Sequence, residues 1–454
     1  MTVTAVLGGT VVAPDGATTA DLLIRDGIIA AIGSRRNGWP EIDREIDASG
    51  CYVLPGGVDP HCHLMAAPGQ ATAAAARGGT TTVLSFTSPA TGEGTVDCML
   101  RSPGELERNQ PWVDVGLHAA IYDPEKVSEA DLVAVRHAGA GSVKIFLAYA
   151  ELGIMCTTSA MFDIMSAAAK AGLLVQVHCE NGSLIEAIET RMLAGRAYSA
   201  ARLFADTRPA EVEEEAVARA LATARLAGAA CYLVHLSTAG AIDQVRMARR
   251  RSGPPVLAEA CTHHLLLDDS CYGRPDWQRY LVMPPLRASS HVQALWAALG
   301  DGTIDTVGSD HCQVKTVTAG QVAGVGHDLA YGLAGVGPRY PLLLSAAIGA
   351  GMPVTLAMRL AAENPARAFG HYPRKGALLY GSDADIVIFD PAGETTLPND
   401  GFGDGTGDSV YAGIAVRGEI RDVMLRGEII VSNGTLVNLQ PTGRYLRAVT
   451  VEER

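Results

Sequence analysis
The chain has 454 residues, 48% of them hydrophobic, enough for one large buried core and a smaller one beside it. Its formal net charge of -13 argues against nucleic acid or an anionic membrane as the main partner. No apolar run reaches the ~18 residues of a membrane span. Nine scattered cysteines, odd in number, read as reduced thiols of a cytoplasmic protein rather than a disulfide framework.

In chain order, Met1–Leu7 reads as a strand because it lacks the basic and long apolar regions of a signal peptide. Asp21–Arg25 and Gly27–Gly33 are short apolar runs separated by Asp-Gly, again strands. The middle then alternates. Apolar or β-branched runs at Cys51–Val58, Thr80–Phe86, Trp112–Ile121, Ser142–Tyr149, Leu173–Glu180, Cys231–Ser237, Val256–His264 and Thr303–His311 are separated by helical stretches such as Glu211–Ala227 and Ala239–Arg250. Strand-helix repetition implies parallel strands with right-handed crossovers. Eight repeats over roughly 250 residues suit a closed (β/α)8 TIM-like barrel, with an open doubly wound sheet as the alternative. No Gly-x-Gly-x-x-Gly follows the first run and no P-loop is present, which disfavours nucleotide-binding sheets. Ala384–Phe389 and Val423–Val431 read as strands again. The economical division is a small β-sandwich domain from both chain ends, 1–54 plus 377–454, around a catalytic barrel of 55–376.

Metal-capable residues fall at the ends of these runs: His61 and His63, Lys144, His178, His235 and Asp310. Carboxyl ends of barrel strands converge on one mouth. His61-Cys62-His63 on an extended strand puts both imidazoles on one face and Cys62 on the other, because the side-chain period is two. Imidazoles with a carboxylate suit Zn²⁺ best, other first-row ions remaining open. Lys144 sits in the apolar run Val143–Leu147, where an ammonium ion is costly. Either it snorkels or pairs with an acid, or burial lowers its pKa and the neutral amine captures CO₂ as a carbamate able to bridge two metals. His118 and His137 read as structural or surface groups and His263 and His264 as structural; His311 is open between a bland role and a hydrogen-bonding support for Asp310. Glu213-Glu214-Glu215 reads as a solvated helix face.

Taken in order, Pro55-Gly56-Gly57-Val58-Asp59-Pro60-His61-Cys62-His63, Ser142–Tyr149, His178-Cys179-Glu180-Asn181-Gly182, Val234–Ser237, His264–Ser270, Pro284-Pro285-Leu286-Arg287, Gly308–Cys312, Asn364-Pro365-Ala366 and Lys375–Val387 cover nearly the whole chain. This set resembles the dihydropyrimidinase/hydantoinase branch of the amidohydrolase superfamily. The resemblance implies a hydrolase that opens the ring amide of a dihydropyrimidine or a 5-substituted hydantoin to an N-carbamoyl amino acid. It implies two divalent metal ions, the more buried one on His61, His63 and Asp310, the other on His178 and His235, with Lys144 as a bridging N6-carboxylysine. Asp310 would relay protons and Tyr149 would hydrogen-bond the oxyanion, while Met283 and Tyr331 fall at substrate-contact positions. A homo-oligomer, tetramer or dimer, is implied too, with Gly443–Arg447 resembling a C-terminal contact segment.

Departures are also visible. Met283 stands where the family carries serine before Pro-Pro-Leu-Arg, no asparagine is evident around Tyr331, and the loop after His63 is short. Leu64 and Met65 follow the His-x-His where a dihydroorotase would carry an arginine; an allantoinase or another cyclic-amide hydrolase is the alternative activity. A non-catalytic scaffold of the same fold is disfavoured, because every ligand position is filled.

Overall fold
The computed structural model describes residues 2–34, 38–64, 67–194, 200–312, 332–437 and 440–449. Parallel strands pair in sequence order: Gly57–His63, Thr80–Phe86, Asp114–Ala120, Ser142–Phe146, Leu174–His178, Cys231–Leu233, Val256–Cys261 and Thr306–Gly308. The eighth strand is broken. Its second piece, His311–Cys312, pairs with the first strand through His311–Cys62 and Cys312–His63, and this closes the barrel. Asp310 lies in the break.

Helices follow the strands, and local chemistry starts and stops them. Thr157 accepts the Ala160 N–H at the head of Thr158–Ala171, and Gly172 ends that helix at φ +66°. Asn181, directly after the His178-Cys179-Glu180 strand end, caps Gly182–Leu193 by accepting from Leu184 N. Thr238, three residues past His235, caps Ala239–Arg249. These caps fix where a strand's polar tip hands over to the next helix, and so how far each tip projects.

Most of the core lies between the strands and the helix layer, where Cys62 joins Ala71, Ala74 and Val83. A second apolar cluster holds Val58, Leu84, Tyr232, Val234 and Phe369. Phe369 packs 4.5 Å from the His118 ring and 5.0 Å from Tyr232.

The second sheet has nine strands and draws on both ends of the chain, as the sequence reading expects. Tyr52–Pro55 is its seam: it runs parallel to Val3–Ala13 on one side and antiparallel to Ile386–Thr396 on the other. The apolar run Cys51–Val58, read as one strand from sequence, is therefore two. Gly56 separates them because a Cβ there would sit 2.1 Å from Thr81 Oγ1, so only glycine fits. A buried cation ties the two sheets. Lys375 Nζ lies 2.6 Å from Asp114 at the start of the third barrel strand, 2.9 Å from Asp383 and 2.7 Å from Asp385. The segment Tyr445–Leu446 pairs in parallel with that same barrel strand of its own chain.

Candidate active site
His61, His63, Lys144, Tyr149, His178, His235, Met283 and Asp310 all line one cavity of about 240 Å³ at the carboxyl ends of the barrel strands. Tyr331 lies outside the described residues, and its neighbour Gly332 borders the cavity. Tyr122, Phe146, Ile154 and Val282 add an apolar wall. Six positions scattered from 61 to 310 thus share one small space.

The first strand aims His61 and His63 the same way. Both Nε2 atoms face Asp310 Oδ1, at 3.0 Å from His61 and 3.5 Å from His63. His178 Nδ1 stands 2.9 Å from His235 Nε2. The His61 and His235 rings are 5.4 Å apart, and donor atoms of His61, His235 and Asp310 all fall within 4.8 Å of one another. Three of these residues are held in left-handed backbone: Tyr149 at φ 71°, His235 at φ 39° and Asp310 at φ 48°. Such backbone costs energy in a non-glycine residue and clusters at functional sites.

Buried carboxylates stand behind the rings. Glu259 Oε1 takes His61 Nδ1 at 2.7 Å, and Glu180 Oε2 takes His178 Nε2 at 3.0 Å. Each acceptor selects a tautomer, leaving Nε2 of His61 and Nδ1 of His178 as the nitrogens that face the cavity. In sequence, Glu180 is marked only within its motif, and Glu259 is not among the candidate site residues. The signal was there: a single acid inside Val256–Cys261, where charge is costly.

Electrostatics fit a cation. Burial pushes the His63, His178 and His235 rings toward the neutral form, the form that ligates metal. Burial acts the same way on His61, but Asp310 and Glu259 outweigh it and hold that ring up at about 9. Asp310 resists its own burial through His61 and is held well below the usual carboxylate range. Burial lowers Lys144 to about 8, against the opposing pull of Asp310 and Glu259. Its Nζ lies 4.9 Å from the Phe86 ring centre and 5.5 Å from that of Phe146, and no carboxylate among the described residues forms an ion pair with it. Snorkelling to solvent does not occur either, since Lys144 is 1% exposed.

Other sequence readings fare unequally. His118 is buried, with Nε2 donating to Pro60 O and Nδ1 accepting from Ser142, and His137 is exposed. His264 Nε2 donates to Pro284 O. His311 does not support Asp310; its Nδ1 accepts from Val336 N. The Glu213–Glu215 run is not a solvated face throughout. Glu213 is 1% exposed and accepts from Ser237 N at 2.8 Å and Thr238 N at 3.1 Å, with Arg287 Nη2 at 3.6 Å. It anchors the turn that carries His235, and the helix turns only its neighbours outward.

A family model described as the amidohydrolase family matches residues 52–430. The chain belongs to the amidohydrolase family. Within the family, it is 34% identical over 453 residues to a D-hydantoinase of Ralstonia pickettii, covering 97% of each chain. Among solved structures, it superposes on a dihydropyrimidinase from Brevibacillus agri with a TM-score of 0.88 at 31% identity, covering 98% of each chain. An L-hydantoinase (dihydropyrimidinase) from Arthrobacter aurescens gives 0.86 at 28% identity, covering 98% of this chain and 99% of that one. This amidohydrolase is thus similar from end to end to proteins of the hydantoinase branch. The family is metal-dependent, and the cluster of imidazoles and carboxylate at the barrel mouth is chemically able to hold an ion.

Proposed function
We propose that this amidohydrolase opens the ring amide of a 5-substituted hydantoin or a dihydropyrimidine, releasing an N-carbamoyl amino acid. The observation that carries the reading is the convergence of His61, His63, Lys144, His178, His235 and Asp310 on one cavity, in a chain that hydantoinases match almost completely. The cavity volume, about 240 Å³, admits a small ring, and the wall of Tyr122, Phe146, Ile154 and Val282 suits an apolar substituent.

Two divalent ions, with Zn²⁺ the best match to these donors, would be held by His61, His63 and Asp310 and by His178 and His235. Lys144 would join both as N6-carboxylysine. The buried amine of Lys144, without an ion-pair partner among the described residues, supports that modification, since an amine lowered to about 8 supplies the neutral form that adds to CO₂. When bound, such ions lower the pKa of water and polarise a carbonyl. The chain's own groups would do the rest. Asp310 accepts the proton of the attacking water as its oxygen bonds to the ring carbonyl carbon, then returns a proton to the ring nitrogen as the C–N bond breaks. The Tyr149 hydroxyl donates to the developing oxyanion. Met283 shapes the floor beside Val282.

A substrate panel tests this directly: 5-substituted hydantoins, 5,6-dihydrouracil, allantoin and dihydroorotate. Turnover of the first two classes is expected; turnover of allantoin alone overturns the assignment. Metal analysis should return about two equivalents per chain. Lys144→Ala should lose most activity and recover part of it with short carboxylic acids; a fully active variant refutes the carbamate.

We also propose self-association and a reducing cytoplasm. Leu226, 77% exposed, and Tyr380, 82% exposed, give an assembly apolar surface to cover. All nine cysteines are free, eight of them buried. Sedimentation tests the assembly, and localisation of a tagged chain tests the compartment.

A further inference from the structure
We propose that Glu259 is the positioning residue that couples the two halves of this metal centre, fixing the His61 side chain and the His235 main chain with one carboxylate oxygen. The proposal rests on reading the cavity as a metal centre.

Oε1 of Glu259 receives His61 Nδ1 at 2.7 Å and the His235 N–H at 2.9 Å. His61 belongs to one candidate ligand set and His235 to the other, and they come from opposite flanks of the seventh strand. The bond to His61 settles which nitrogen faces the cavity. The bond to His235 holds a residue at φ 39°, a region uncommon for non-glycine residues. Glu259 is itself held. Its Oε2 accepts from Tyr232 Oη at 2.8 Å, and that hydroxyl also lies 2.6 Å from Thr306 Oγ1. On the eighth strand, a Cβ at Gly308 would stand 2.9 Å from Oε2, so the missing side chain makes room for the carboxylate. Strands one, six and eight therefore meet at a single, fully buried acid on strand seven.

Two carboxylates back the rings, but they differ. Glu180 touches only His178 among the candidate ligands, through one oxygen. Glu259 touches both sets. Loss of Glu259 should therefore weaken both ions together, whereas a purely structural acid would lower folding stability and leave the ions alone.

The test uses the full-length protein, stripped of metal and titrated with Zn²⁺ against a competing chelator, with thermal unfolding of the metal-free form run in parallel. Glu259→Ala removes both bonds. Glu259→Gln keeps an acceptor oxygen of nearly the same shape and remains informative if the alanine variant does not fold. Tyr232→Phe removes the support on Oε2 and leaves the Oε1 pair.

Wild type is expected to bind two ions. Glu259→Ala should bind both on the order of 10- to 100-fold more weakly, with Glu259→Gln in between and Tyr232→Phe within about threefold of wild type. Metal-free unfolding of Glu259→Gln should stay near wild type, and its loss should fall on kcat rather than KM. Folded Glu259→Ala or Glu259→Gln protein that binds both ions as wild type does overturns the proposal, as does weakening confined to one ion. A wild-type protein that binds no ion overturns the metal-centre reading itself, and this inference with it.

Discussion
Tyr149, His235 and Asp310 each sit at the end of a barrel strand and each hold positive φ. Strain of this kind survives only where surrounding contacts over-determine the backbone. Tyr149 is the clearest test, because its ring stands 4.8 Å from His178 beside the cavity. Tyr149→Phe keeps the ring and deletes the hydroxyl. It should lower kcat by on the order of 10²-fold while the fold, read by circular dichroism, is unchanged. Lys144 gives a pH-dependent test. Its amine is lowered to about 8, so the neutral fraction grows as pH rises through that value. At fixed dissolved CO₂, the metal-free protein should gain the carbamate carbon faster at about pH 9 than at about pH 7, followed by ¹³C NMR. His61 and His63 are legible in sequence because a period of two puts both on one face. Glu259 is marked in sequence only as a single acid in an apolar strand, and Glu213 only as one of an acidic run, and neither pattern says what the acid will meet. Only the packing of His61 beside one, and of Ser237 beside the other, gives those charges their partners.

At the scale of elements, the alternation of apolar runs and helices identifies the barrel strands, since parallel strands buried on both faces read as continuous apolar stretches. The boundaries are harder. Cys51–Val58 conceals a change of sheet at Gly56, and the eighth strand conceals its break at Ser309-Asp310. Both depend on contacts with distant segments, Thr81 for one and the first strand for the other. The link between the two sheets was not foreseen either. Lys375 meets Asp114, Asp383 and Asp385 away from water, and Arg426 also pairs with Asp114. Lys375→Met should leave Asp385 without a cationic partner among the described residues, while Asp114 keeps Arg426 and Asp383 keeps Arg374, and cost about 3–5 kcal/mol, read as a lower denaturant midpoint. A midpoint equal to wild type would show that Arg426 alone suffices.

For the whole molecule, the cavity occupies one end of a barrel whose core is built separately, between strands and helices. On that layout the barrel should fold whatever the cavity holds. Stripping metal should leave the circular dichroism of a folded chain yet lower its thermal midpoint. Each ion at about 100 times its dissociation constant adds roughly 2.7 kcal/mol. If the metal-free chain is unfolded, the barrel core is not self-sufficient.

The seam at Tyr52–Pro55 has a bearing on synthesis. Until Ile386–Thr396 has been translated, that strand can pair with Val3–Ala13 but its other edge has no partner. Throughout that interval the nascent polypeptide carries an open β-edge of the kind that recruits stray strands. Messages truncated before this late segment should yield insoluble fragments, even though every residue that lines the catalytic mouth has already been made.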